Sequence, residues 1–257
     1  MAGFIDFLTQ APGVTLPVLA GMSVLSFFAS VMATGLGLGG GQLVIAVMTL
    51  LFPPAVLIPL HGVVQLGSNI SRSWLMRRYV ILAVVPLFLG GSLIGAVIGT
   101  RLVISLPIPV LQMVLAAFIL YAAWAPALRG GKSLPAKFFA LGVVGSIITM
   151  FVGATGPLVA PFSAGLSPDR HQVVATHAVL MTIQHGLKIA AFGMLGFAFW
   201  PYVPLLTGML VCGFFGNMAG RRVLTRMPEK HFRLVFRLVL SALALRLLYG
   251  AIGALVR

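Results

Sequence analysis

His61, Gln65, Asn69 and Arg72 follow one another at intervals of four, four and three residues inside one apolar stretch. On a helix that spacing makes a single polar stripe. In a second stretch His177, Gln184 and Lys188 share a face, with His185 beside it. All of these side chains can donate a hydrogen bond. Lys188 and Arg246 are cations within apolar spans that hold no carboxylate, because the three acids of the chain, Asp6, Asp169 and Glu229, fall in loops. An interior of donors and cations suits an anion. It lacks the carboxylates with which cation-coupled carriers usually hold Na⁺ or pass protons. His61 and His177 could donate to that anion or titrate during a transport cycle; the plainer reading of each is a hydrogen-bonded interior residue. Lys188 is close enough to the end of its stretch to snorkel. Arg246 is nearer mid-span, where facing lipid would cost roughly several kcal/mol, so it is expected to face water, substrate or a carbonyl.

Two glycine breaks position these stripes. Gly35-Leu36-Gly37-Leu38-Gly39-Gly40-Gly41 and Gly153-Ala154-Thr155-Gly156-Pro157 each follow an apolar run and precede a short apolar piece that ends at Pro53 or Pro168. Lipid offers no partner to unwound backbone, so protein, water or ligand must supply one. Paired breaks in the two halves of a chain point to a transporter's substrate site. The helices that follow should begin near Gln42 and Pro157, with proline well suited to a first helical position. Their free N–H groups and positive dipole ends would then face the break. Gly39, Gly40, Gly41, Gln42, Gly153, Thr155 and Gly156 accordingly join the candidate binding residues. The competing reading is that the glycines only permit close helix contacts, although five glycines within seven residues is dense for packing alone.

Composition places the site in a membrane. The 257 residues are 60% hydrophobic and 8% charged, against roughly 25% charged in soluble domains, and the mean hydropathy is +1.11. The net charge of +14 comes from basic residues clustered between apolar spans, which encodes topology and excludes nucleic acid as the partner. The partners expected are the lipid bilayer and a small anionic substrate, with a homodimer as one conceivable assembly and no cofactor. Cys212 is the lone cysteine, so no disulfide and no cysteine metal motif is expected. The first 34 residues hold no Lys or Arg, lack the basic start of a secretory signal, and are read as part of the mature protein.

The apolar segments run 15–34, 41–52, 54–74, 79–100, 108–126, 137–152, 157–166, 171–196, 200–220 and 234–256. Residues 41–52 and 157–166 are too short to span, since a crossing needs about 20 residues. A shift of 115 lays Gly41 on Gly156 and Pro53 on Pro168; a shift of 116 lays His61 on His177, Ser68 on Gln184, Asn69 on His185 and Arg72 on Lys188; a shift of 121 lays Gly99 on Gly220 and Arg101 on Arg222. This ordered series reads as two diverged copies: a first transmembrane repeat over 1–128, a basic cytoplasmic linker over 129–137, and a second repeat over 138–257. If each broken pair is a re-entrant hairpin, Arg72, Arg77, Arg78 and the cluster from Arg221 to Arg237 face the cytoplasm, leaving only Arg101 and Arg257 outside. If each pair crosses once, that cluster moves outside. The positive-inside rule prefers the hairpins. Corresponding loops also carry opposite charge bias, as inverted-topology repeats do. The expected fold is therefore an all-α membrane protein with an inverted-topology repeat, each half a glycine-broken re-entrant helical hairpin plus three transmembrane helices.

The motifs Gly37-Leu38-Gly39-Gly40-Gly41 and Gly153-Ala154-Thr155-Gly156-Pro157, with Pro161, resemble the TauE/SafE family of sulfite and organosulfonate permeases. The resemblance covers nearly the whole chain and departs at Ala46, where the first copy of the family often has proline. It implies a secondary transporter, not an enzyme, which exports sulfite or organosulfonates across a bacterial inner membrane. The absence of a nucleotide-binding motif excludes ATP-driven transport within this chain. An anion channel, or a uniporter for another small inorganic or carboxylate anion, would use the same donors. An intramembrane enzyme is disfavoured because no nucleophile, acid pair or metal cluster accompanies the histidines.

Overall fold

In the computed structural model the described residues are 2–35, 39–103, 107–124, 135–223 and 230–255. They form eleven α-helices: α1 (Ala2–Leu8), α2 (Leu16–Gly35), α3 (Gly40–Met48), α4 (Pro54–Leu75), α5 (Val85–Val103), α6 (Ile108–Trp124), α7 (Lys137–Val152), α8 (Gly156–Ala164), α9 (Arg170–Met194), α10 (Val203–Val223) and α11 (Lys230–Leu255). No strand occurs among the described residues. Short α1 is an addition to the expected segments, and its Phe4 and Phe7 are exposed. The interior of the expected linker, 129–134, lies outside the described residues, and its last residue, Lys137, opens α7.

Prolines and glycines set the ends of the helices. Pro53 and Pro54 open α4, Pro157 stands in the first turn of α8, and the carboxylate of Asp169 caps α9 by accepting from the His171 N–H at 2.9 Å. Gly39 (φ 96°) and Gly153 (φ 73°) take backbone conformations that a side chain rarely tolerates. Helices α3 and α8 have nine residues each, about 14 Å at 1.5 Å per residue, so neither crosses a bilayer alone. α3 is helical through the buried Ala46, and α8 likewise continues through Pro161 at the matching place. Three stretches are long and apolar enough to cross: Leu16–Gly35, Leu82–Val103 and Trp200–Arg222. Their outer faces, with Phe28, Val97 and Phe215 exposed, suit contact with lipid. The chain is a multi-pass membrane protein.

Helix directions follow from which residues meet. Ser30 meets Ser68 and the Ala33 carbonyl meets Arg72, so α2 and α4 run the same way. Between them α3 comes back: Gly40 lies against Ala29 and Ala33, and Phe52 against Gly13. In the second half Gly145 meets Gln184 and the Gly153 carbonyl meets Lys188, so α7 and α9 also run together. Helices α4 and α9 oppose each other, with Gly62 against Lys188, Leu66 against Gly186, and Met76 beside Val174. Close glycine contacts join α10 to α2 (Gly216 on Phe27, Gly220 on Val31) and α5 to α7 (Gly95 on Val143, Gly99 on Ile147). α6 pairs with α11. At the centre, α4 and α9 carry the buried polar side chains.

Candidate functional site

The two breaks converge. In α3 the first intrahelical bond is Leu43 N–H to the Gly39 carbonyl at 3.0 Å, which leaves the amides of Gly40, Gly41 and Gln42 without helical acceptors; no side chain caps them. In α8 the Leu158 amide bonds the Thr155 carbonyl at 3.0 Å, Pro157 has no N–H, and the Gly156 amide lacks a side-chain cap. The position a Cβ would take at Gly156 lies 3.5 Å from Gln42 Nε2 and 3.6 Å from His177 Nε2. The start of one half-helix therefore faces the start of the other across a few ångströms. Leu36, Gly37 and Leu38, the middle of the first break, lie outside the described residues.

Between these ends is a cavity of about 40 Å³, room for a few waters or one small solute. Gly39, Gly40, Gly41, Gln42, His61, Gln65, Asn69, Gly156, His177 and His185 line it, joined by Ala33, Arg72, Ala154 and Met181. His61 Nε2 donates to the Gly41 carbonyl at 2.9 Å, so in the neutral ring Nδ1 holds the lone pair, and Nδ1 has no partner. Nδ1 of His177 and Nδ1 of His185 are likewise buried and unpartnered. The His61 and His185 rings meet edge to face with centroids 6.0 Å apart.

Arg72 corrects the sequence reading. Assigned there to the cytoplasmic charges, it is instead buried in α4 at 4% exposure. Its Nη1 donates to the Ala33 carbonyl at 2.8 Å, its Nη2 donates to Asn69 Oδ1, and Nε is unpartnered. Asn69 Nδ2 in turn donates to the Gln65 carbonyl at 2.7 Å. The signal was present in the sequence: Arg72 continues the stripe, and its match under the 116 shift is Lys188, already placed inside a span.

Lys188 does not snorkel. It is fully buried, packs against Gly62, and donates from Nζ to the Gly153 carbonyl at 2.7 Å. Arg72 and Lys188 thus do equivalent work, each tying a cation to the carbonyl end of a helix that precedes a break, where the dipole favours positive charge. Thr155 and Gln184 sit behind the cavity wall, with the Thr155 hydroxyl donating to Gln184 Oε1 at 2.6 Å. Arg246 is not brought to the cavity; it lies exposed on α11. Sequence reasoning also passed over Asn217 of α10, which is fully buried. Its Oδ1 accepts from Thr34 at 2.6 Å, and its Nδ2 donates to the Ser68 carbonyl at 2.8 Å. A single amide in an otherwise apolar stretch was the available clue.

The electrostatics are one-sided. Arg72 and Lys188 are bonded only to neutral oxygens. The described acids, Asp6 and Asp169, are exposed, and Asp169 pairs with His171 at 3.1 Å in the turn before α9. No three His, Cys, Asp or Glu among the described residues converge as a metal site. A negative solute in the cavity would meet the unneutralised guanidinium of Arg72, free amides and histidine edges, with Lys188 buried behind the wall.

The sequence pattern described as sulfite exporter TauE/SafE matches residues 22–247. The chain belongs to this family. No curated protein and no solved structure matches it. The match runs from α2 into α11 and takes in both breaks and every residue around the cavity. As a TauE/SafE protein it is a membrane transporter rather than an enzyme, and its cargo is sulfite or a related anion.

Proposed function

We propose that this TauE/SafE protein exports small sulfur oxyanions, sulfite or organosulfonates, across a bacterial inner membrane by alternating access. One observation carries the reading: the uncapped starts of α3 and α8 and the buried guanidinium of Arg72 converge on a single cavity with no carboxylate beside it. Burying a charge without a partner is expensive. A bound anion supplies the missing charge, and helix N-termini are ready anion sites. Gln42, Gln65 and His177 orient the oxygens, and the small volume excludes large organic solutes.

Alternating access is supported by how the halves are arranged. Matching helices α4 and α9 run in opposite directions, and α2 packs on α10 as α7 packs on α5. That exchange of partners is expected of inverted repeats. The return of α3 along α2 toward Gly13 supports the re-entrant reading of the breaks. Rocking one half against the other would open the cavity first to one face and then to the other. Sulfite efflux from proteoliposomes tests this directly. A carrier gives saturable efflux that external sulfite accelerates; fast flux indifferent to external sulfite would replace the carrier with a channel.

A further inference from the structure

The two halves treat one buried location differently. In the first half α2, α4 and α10 close it with hydrogen bonds: Ser30 to Ser68, Thr34 to Asn217, and Asn217 to Ser68 and Ser71. The 116 shift places Ser146 and Gln184 on Ser30 and Ser68, with Thr149 one residue before the match of Thr34, and the 121 shift that lays Gly99 on Gly220 lays Ala96 on Asn217. The packing agrees with that register, since Gly95 lies on Val143 as Gly216 lies on Phe27. So where α10 inserts an amide, α5 offers only a methyl group.

Polar groups on α5, α7 and α9 stand there without partners. Ser92 Oγ, Ser146 Oγ, Thr149 Oγ1 and Gln184 Nε2 are all buried and unbonded, and these residues are at most 1% exposed. Helix hydroxyls elsewhere in the chain bond back to their own helix, as Ser23, Thr100 and Thr182 do. These three do not. Gly142, Gly145, Ser146 and Thr149 share one face of α7; Gly142 leaves room for Ser92 Oγ, 3.1 Å from where its Cβ would be, and Gly145 leaves room for the Gln184 amide. Buried polar groups are rarely left unpaired.

We propose that α5, α7 and α9 form a second anion site there, separate from the cavity and built from these unpartnered donors. Gln184 decides the sign of the ligand. Its Oε1 is occupied by Thr155, so it presents N–H, which repels a cation and attracts an anion; the three hydroxyls can all donate as well. Lys188 lies one helical turn further along α9 and adds positive charge. The Thr155–Gln184 bond separates this site from the cavity, so its opening would pass a substrate from one to the other. The site is a relay for departing cargo, held by neutral donors and therefore loosely. Its role in transport rests on the proposed function above.

Bromide is the direct probe. In crystals of the wild-type protein soaked with sodium bromide, anomalous density should lie among Ser92, Ser146, Thr149 and Gln184, and Ala96→Asn should remove it by supplying the amide. Ala96→Asn should fold with an unreduced Tm, bind sulfite within twofold of wild type, and lose at least tenfold in sulfite flux. Thr149→Val with Ser146→Ala, which removes two donors without adding bulk, should also lose the bromide and slow the flux. Water alone at the wild-type site, or wild-type flux in Ala96→Asn, overturns the proposal. A wild-type protein that binds no sulfite would instead refute the assigned substrate, and the bromide result would still decide whether this site exists.

Discussion

Gly40 and Gly156 open the two half-helices at matching places, yet the structure requires them to fail differently. A Cβ at Gly40 would overlap the carbonyl oxygen of Ala29 and come 2.8 Å from the Ala33 Cβ. Both obstacles belong to the α2 backbone or its first side-chain atom, so no rotamer change relieves them and α3 must move off α2. Overpacking of this kind costs about 1–3 kcal/mol or more, and Gly40→Ala should lower Tm. At Gly156 the nearest atoms are Gln42 Nε2 at 3.5 Å and His177 Nε2 at 3.6 Å, an ordinary van der Waals distance. Its φ is not positive, so alanine fits the backbone and should leave Tm unchanged or raise it slightly, by up to about 1 kcal/mol of stability. The added methyl, however, stands at the cavity wall between Gln42 and His177, at the place proposed for the anion. Gly156→Ala should therefore weaken sulfite binding at least tenfold, and Gly156→Leu should abolish transport. Thermal unfolding in detergent and titration calorimetry with sulfite separate the two effects. Wild-type affinity in Gly156→Ala would refute the close approach of anion to this half-helix; a wild-type Tm in Gly40→Ala would refute the α2–α3 contact.

Arg72→Gln removes a charge-assisted bond worth about 1.5–3 kcal/mol, so sulfite affinity measured by calorimetry should fall roughly 10- to 150-fold at tenfold per 1.4 kcal/mol; unchanged affinity would take Arg72 out of the site. Asn217→Leu strands the Thr34 hydroxyl and the Ser71 hydroxyl, and buried groups so exposed cost about 1–3 kcal/mol; Tm should drop while sulfite Kd stays constant. Bonding from the His171 amide holds the Asp169 carboxyl below its ordinary value of 3.8. A depressed folded value stabilises the first turn of α9 above 3.8 and loses that support as pH falls through the folded value. Hydrogen-exchange protection of the His171 amide, corrected for intrinsic rate, should hold at neutral pH and decline only in strong acid; protection that outlasts full protonation would contradict the cap.

The glycine breaks were legible because unwound backbone in a membrane has few uses, and Gly40–Gln42 and Gly156 do face one cavity. The histidine–glutamine–asparagine stripe was legible because i, i+4 spacing is local. What escaped depends on tertiary neighbours. Arg72 sits near a run of basic residues, so charge counting drew it into a loop, whereas the free carbonyl of Ala33 holds it inside. Lys188 resembled a snorkelling lysine until Gly62 and the Gly153 carbonyl were seen to receive it. Arg246, with no carboxylate in sight, was expected to face water, substrate or a carbonyl; the sequence does not reveal which face of α11 turns outward. The difference between Ala96 and Asn217 was written in the repeat, but its meaning required the unpaired hydroxyls opposite.

A structure of the protein with sulfite bound tests the central claim most directly. The account places the anion between the amides of Gly40–Gln42 and Gly156, with a guanidinium nitrogen of Arg72 at hydrogen-bond distance from one of its oxygens. Sulfite ordered at another place while this cavity holds only water would contradict it.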